Sequence, residues 1–262
     1  MHTDILLNVK GGIVFARRWQ PAVTSSTAPL VLLHDSLGCM DLWRDFPATL
    51  ARQLGRPVVA YDRLGFGRSS PREQVPAADF IREEAEEFLP VILSGLGIAD
   101  FALFGHSVGG AMALVAASRA GDRCTAVVSE SAQAFVEGRT VAGIQQARER
   151  FQEPEEFDRL RKWHGSKARW VLDAWTGVWL SPEFASWSLE PDLPLVRCPV
   201  LVIHGEEDEY GSVRFPELIC RHVGGPAEMH ILSGCGHVPH RERPDIVAGL
   251  VARFSPLSGG WS

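Results

Sequence analysis

Phe101-Ala102-Leu103-Phe104-Gly105-His106-Ser107-Val108-Gly109-Gly110-Ala111-Met112 decides the reading of the whole chain. Residues 101–104 form an apolar run with strand character, and the small residues that begin at Gly110 suit a helix, so the chain must turn abruptly between them. Glycines on both sides of Ser107 let the two backbones pass without Cβ collisions. The serine is then thrust out at the strand's carboxyl end. There the unpaired N–H groups and positive dipole end of the new helix suit a developing oxyanion. An ordinary turn serine is the competing reading of an isolated G-x-S-x-G; a strand before it and a helix after it favour a nucleophile.

Working outward, short apolar, β-branched runs recur at 5–9, 13–16, 30–33, 57–61, 101–104, 126–128, 199–203 and 229–232, which predicts about eight strands. Gly11-Gly12 reads as a two-residue hairpin turn, so the sheet should open antiparallel. From Leu30 onward strands alternate with helical stretches, and such crossovers force parallel pairing. Asp41 and Asp79 are candidate helix caps, and Pro90 should kink or split the helix that follows Asp79. Only 21–29, Pro-Ala-Val-Thr-Ser-Ser-Thr-Ala-Pro, reads as a flexible loop.

The alternation stops after the strand ending near Ser129. About sixty residues of helical, charged sequence follow before Pro199 restores a strand. The expected organisation is a core of 1–133 and 193–262 with an inserted helical cap at 134–192. Trp163, Trp170, Trp175, Trp179 and Trp187, five of the eight tryptophans, fall in the insertion. Trp163, Trp170, Trp175 and Trp179 are the candidates for a substrate-facing aromatic underside, against the plainer reading that they pack the cap onto the core.

Length and composition bound the function. With 262 residues, 45% hydrophobic and 22% charged, the chain can bury one sizeable core. Its 26 basic against 32 acidic residues give a net charge of −6, which argues against a nucleic-acid partner. The cysteines (Cys39, Cys124, Cys198, Cys220, Cys235) are odd in number and lack a C-x-x-C pair, so reduced thiols in the cytoplasm are expected. The start of the chain lacks the basic opening and long apolar stretch of a signal peptide, and no run is long enough to span a bilayer. No Gly-rich nucleotide motif appears, so no cofactor is expected.

A serine hydroxyl needs a base to take its proton, and the base needs an acid to orient it. The run ending in Ile203-His204-Gly205 leads into Glu206-Glu207-Asp208, and His237 follows the last strand on the loop Ser233-Gly234-Cys235-Gly236. Here the chain resembles the α/β-hydrolase superfamily over nearly its whole length. That resemblance implies Ser107 as nucleophile, His237 as general base and acid, and Asp208 as the orienting carboxylate. It also implies an oxyanion hole made by the backbone N–H groups of Ser36 and Val108, with 33–38 and 61–69 as the adjoining loops.

The chain departs from the family at Asp35, which stands where glycine is usual. A carboxylate facing the oxyanion opposes catalysis, so Asp35 should point away or be paired. Alternatives stay open for two partners: His240 for the base, and Glu206, Glu207, Glu209 or Glu130 for the acid. His34 and His204 read as structural histidines, and Asp62 and Arg63 as ties within their own loop. A zinc site from Cys220, His222, Cys235, His237 and His240 matches no recognised ligand spacing, so no metal is expected. The basic run 159–169 reads as a solvated helix face, with a substrate carboxylate as the alternative.

The resemblance implies hydrolysis of a carboxylic ester, lactone or thioester of a small molecule with an apolar or aromatic part, through an acyl-enzyme. Carbon–carbon hydrolysis of a vinylogous diketone is the second reading. A ligand receptor with slow or no turnover on the same fold is the third.

Overall fold

The computed structural model describes residues 1–23 and 28–257; the core of the loop expected at 21–29 lies outside them. Eight strands form one sheet: β1 (His2–Val9), β2 (Gly12–Trp19), β3 (Leu30–Leu33), β4 (Val58–Tyr61), β5 (Phe101–His106), β6 (Cys124–Glu130), β7 (Val200–Gly205) and β8 (Ala227–Leu232). Their order is β1-β2-β4-β3-β5-β6-β7-β8. β1, β2 and β4 pair antiparallel, and every other neighbour pair is parallel. Val9 pairs with Gly12, so the first hairpin turns at Lys10-Gly11, one residue earlier than the glycine pair suggested.

Ten helices accompany the sheet among the described residues: α1 (Phe46–Leu54), α2 (Phe80–Glu83), α3 (Leu89–Gly95), α4 (Val108–Ala120), α5 (Gly138–Arg150), α6 (Pro154–His164), α7 (Ala168–Trp179), α8 (Arg214–His222), α9 (Pro239–Glu242) and α10 (Pro244–Arg253). α1 and α10 bury their apolar stripes on one face of the sheet, with Leu50 and Val251 fully enclosed. α2, α3, α4 and α8 cover the other. None of these helices is long and apolar enough to cross a membrane.

Two capping expectations are corrected. Asp41 sits inside the short turn Met40–Trp43, and its carboxylate accepts from Arg68; neither it nor Asp79 makes a side-chain cap bond. The effect of Pro90 is a split. A wider π turn, Glu84–Phe88, separates α2 from α3, as expected where a proline has no N–H to give to the carbonyl four residues back.

β3 has β4 on one side and β5 on the other, so the sheet's topological switch lies between β3 and β5, where α/β sheets open a crevice at the strands' carboxyl ends. Between β6 and β7 the chain makes its excursion through α5, α6 and α7. Its two ends meet at a bridge between Phe135 and Ser188, with Leu189 N–H donating to Ala134 O at 2.7 Å.

The turn from β5 into α4 shows why glycine is needed there. A Cβ on Gly105 would lie 2.1 Å from Gly109 O, and one on Gly109 would lie 2.2 Å from Leu33 O. Both obstacles are backbone, so the strand itself would have to move. Gly109→Ala is expected to cost about 2–4 kcal/mol. Gly177→Ala, in the last turn of α7 with nothing within 4 Å of the new Cβ, is expected to add about 0.5 kcal/mol. Urea denaturation of the two variants measures both; equal stability at Gly109 would mean the backbones do not pass this closely.

Candidate active site

Ser107 sits between β5 and α4 with φ 55° and ψ −126°, a backbone region costly for a residue with a Cβ and often retained where function requires it. Its N–H donates to Glu130 O at 2.8 Å, and its carbonyl accepts from Gly110 N–H at 2.8 Å, so the backbone is held from both sides. The hydroxyl Oγ lies 2.9 Å from His237 Nε2. His237 Nδ1 lies 2.9 and 2.8 Å from the two carboxylate oxygens of Asp208. With Nδ1–H donating to Asp208, Nε2 carries the lone pair and accepts the hydrogen bond of the serine hydroxyl.

The acid is anchored in turn. Tyr210 and Gly211 N–H groups donate to Asp208 Oδ1 at 2.8 and 3.1 Å, and His204, which contacts Gly211 O, stands 3.7 Å from Oδ2. Burial pushes the Asp208 carboxyl up, but the charge and hydrogen bond of His237 outweigh it and hold its pKa below the usual aspartate value. For His237, burial pushes down while Asp208, and behind it Glu209 and Asp35, push up; the net pKa is raised above that of an ordinary histidine.

Two of the alternatives, His240 for the base and Glu130 for the acid, meet each other instead: His240 Nδ1 donates to Glu130 Oε2 at 2.6 Å, while the Ser107 hydroxyl bonds His237 and Gln133. Cys220, His222, Cys235, His237 and His240 do not gather at one point: among the described residues the one grouping of three potential ligands is His106, Glu130 and His240.

In the loop after β3, His34 Nε2 accepts from Arg63 N–H at 3.1 Å, and its Nδ1 lies 2.8 Å from Asp35 O. Arg63 ties its own loop, where its guanidinium lies 4.2 Å over the Phe66 ring and its carbonyl accepts from Phe66 N–H, and it also donates to Asp35 O of the neighbouring loop at 2.9 Å. Asp62 spans both, accepting from Met40 and Arg68 N–H at 2.6 and 2.7 Å. The Asp35 side chain folds back over Gly38, where an added Cβ would meet Oδ1 at 1.8 Å, yet Asp35 still forms part of the wall above Ser107. Ser36 lies on the same wall; Val108, the first residue of α4, has an N–H with no carbonyl one turn back in its helix.

Above Ser107 is a cavity of about 220 Å³, walled by Ile144 of α5 and by Trp175 and Trp179 of α7. Trp163 and Trp170 line no part of it. Trp163 lies beside Lys162, and Trp170 packs edge-on against Phe66 and donates to Gln74 O. In the basic run Arg159, Arg161, Lys162 and Arg169 are exposed, as a solvated face requires, but Lys167 donates to the carbonyls of Phe66, Gly67 and Ser69, and His164 accepts from Gly67 N–H and contacts Leu37 O, each at 3.0 Å. Sequence reasoning missed Gln133, whose side-chain amide nitrogen is 3.2 Å from Ser107 Oγ, and Tyr210, whose ring meets that of His237 edge-on at 4.8 Å.

Residues 30–250 match the model of the alpha/beta hydrolase family, and the chain belongs to that family and is a hydrolase. Among curated proteins it is similar to the serine hydrolase BPHL of Mus musculus, at 27% identity over 215 residues, covering 75% of this chain and 68% of that one. Its fold is similar to that of the enol-lactonase from Burkholderia xenovorans LB400, with TM-score 0.76, 19% identity and coverage of 96% and 99%. The proline iminopeptidase of Mycobacterium smegmatis is a second such structure, with TM-score 0.72, 22% identity and coverage of 96% and 97%.

Proposed function

We propose that the protein is a serine hydrolase that cleaves a carboxylic ester, lactone or thioester through an acyl-enzyme. The observation that carries this reading is the unbroken line from Ser107 Oγ to His237 Nε2 at 2.9 Å and from His237 Nδ1 to Asp208 at 2.8 Å. Ser107 attacks the carbonyl carbon as His237 takes its proton; the oxyanion is received by the N–H groups of Ser36 and Val108; protonated His237 then gives its proton to the leaving group. Water, deprotonated by the same imidazole, releases the acid. Gln133 donates to Ser107 Oγ and so fixes the oxygen while its own proton points at His237.

The segment 134–192 acts as the cap, with Trp175 and Trp179 supplying an apolar, aromatic wall for the acyl or alcohol part. Asp35 and Glu209 are the charged groups besides His237 on the cavity lining, and no lysine or arginine accompanies them. A neutral substrate suits such walls better than an anionic one, which favours a simple ester over a ring-fission diketone bearing a carboxylate.

A panel of p-nitrophenyl esters tests this. Neutral aliphatic and aromatic acyl groups should turn over, and an acyl chain of the same length ending in a carboxylate should have kcat/KM lower by about tenfold or more. Absence of turnover for every ester, lactone and thioester, with hydrolysis of a ring-fission diketone, would move the assignment to carbon–carbon cleavage. Ligand binding without turnover of either class would make the protein a receptor.

A further inference from the structure

Behind the Ser107–His237–Asp208 line lies a second acid–histidine pair, fully enclosed. Glu130 ends β6 with no exposed surface, and its carboxylate accepts from His240 Nδ1 at 2.6 Å. His240 is the second residue of α9, three residues after His237, and lies against Trp43 and Phe46 with ring centres 4.6 and 5.5 Å away. Glu130 also reaches the nucleophile, because its main-chain carbonyl accepts the Ser107 N–H at 2.8 Å. Between the two pairs stands His106, with its Nδ1 3.1 Å from the Glu130 carboxylate and its ring 5.1 Å from that of His237. Nδ1 of His106 has only this contact with Glu130, and its Nε2 has no hydrogen-bond partner among the described residues.

We infer that Glu130 and His240 are positioning residues: their buried hydrogen bond pins the loop that carries His237 to the strand end that holds Ser107. The inference rests on the reading of Ser107 and His237 as nucleophile and base. The loop's earlier residues are held elsewhere, with Cys235 O accepting from Glu207 N–H at 2.9 Å and Gly234 O from Arg243 at 3.0 Å, while the Glu130–His240 bond is what ties the segment just after His237 to β6. Residues 233–238 are glycine-rich, and Glu242 holds the Gly236 and Val238 N–H groups from the exposed side, at 2.7 and 3.0 Å. A buried carboxylate is retained only with a partner. Here burial pushes the Glu130 carboxyl up, and the opposing charge of His240 brings it down to about 2.

Removing one partner therefore has an electrical as well as a mechanical consequence. The groups facing His237 are Asp208, Glu209 and Tyr210 from the loop after β7, Asp35 from the loop after β3, and His106 and Ser107 from the end of β5. Without His240, the Glu130 carboxylate lies behind His106 and has lost the donor that α9 supplies. That charge favours the protonated form of His237.

The test uses His240→Phe, in which a ring of similar size fills the aromatic site, together with Glu130→Gln and the double variant. His240→Phe should lower the second-order rate of inactivation by a fluorophosphonate by about 10- to 100-fold, through a misplaced imidazole. It should also move the acidic limb of that rate to higher pH. Glu130→Gln keeps an acceptor for His240 and should stay within about threefold of wild type. The double variant should remain slow, with its acidic limb back at the wild-type position. The imidazole titration of His237, followed by NMR, reads the same displacement without any reaction. A wild-type protein that fails to react with the probe would refute the serine-hydrolase reading while leaving the NMR comparison decisive for the pair. Folded His240→Phe with wild-type inactivation and wild-type His237 titration would overturn the inference. Should His240→Phe not fold, an unchanged inactivation rate in the folded double variant would overturn it equally.

Discussion

Ser107→Ala is expected to lower kcat on any ester the protein accepts by about 10⁴- to 10⁶-fold and to abolish labelling by a fluorophosphonate. The argument starts from the single oxygen that His237 Nε2 contacts at 2.9 Å: without it no atom on the cavity floor can form the acyl bond, and only a water in the same place can react. Residual activity measures what the remaining groups do for such a water. Folding should be unimpaired, because alanine keeps the Cβ and loses only a hydroxyl whose partners are His237 and Gln133. Ser107→Gly separates function from strain. With φ at 55°, glycine accepts the backbone that serine and alanine resist, so the glycine variant should match or exceed the alanine variant in stability by about 1 kcal/mol, equally inactive. Kinetics and thermal unfolding of the two variants measure both effects. Labelling retained in Ser107→Ala would remove Ser107 from the mechanism.

The same turn explains why so much of the architecture could be read from the chain. Strands β3 to β7 are enclosed on both faces, so they appear as unbroken apolar runs. Local details were less legible because tertiary contacts decide them. Asp41 reads as a cap, yet it is drawn to Arg68, a residue 27 positions away. Trp163, Trp170, Trp175 and Trp179 look equivalent by composition, but Trp175 and Trp179 are one turn apart on one face of α7. Trp170, five residues before Trp175, points about 140° away from it, and Trp163 belongs to the preceding helix.

At the candidate site, the three residues that the structure brings into one line each have motif-like surroundings in the sequence: Ser107 between its glycines, His237 on a loop after a strand, Asp208 beyond another. Gln133 has no such signal, because its approach to Ser107 depends on how the chain leaves β6. Glu130 and His240 were visible only as rivals for roles in the line itself. That they join each other follows from a hydrogen bond across 110 positions, and no local pattern encodes it.

Asp208→Asn is expected to lower kcat by about 10³- to 10⁴-fold while leaving the fold in place, and the cause can be followed atom by atom. Asp208 Oδ1 accepts from the N–H groups of Tyr210 and Gly211, so the single oxygen of asparagine is held at that position. The amide NH₂ then occupies the place of Oδ2, 2.8 Å from His237 Nδ1. Two N–H groups cannot face each other there, so the ring must present a lone pair at Nδ1 and carry its proton on Nε2, pointing at Ser107 Oγ. A base already protonated on that side cannot take the serine proton. The pH dependence gives an independent reading with a definite sign. Burial lowers the His237 pKa, and Asp208 is the strongest influence raising it; in the variant only the weaker charges of Glu209 and Asp35 still oppose burial, so the pKa falls. Because the neutral imidazole is the active form, the acidic limb of the residual kcat/KM should move to lower pH even as the plateau collapses. Stability follows the same carboxylate. Its folded pKa is lowered, so the contribution of Asp208 is present above the unfolded aspartate value and is lost as pH falls through the folded one; the stability gap between wild type and variant should therefore narrow in acid. A variant with near wild-type kcat and an unmoved acidic limb would show that another carboxylate orients His237.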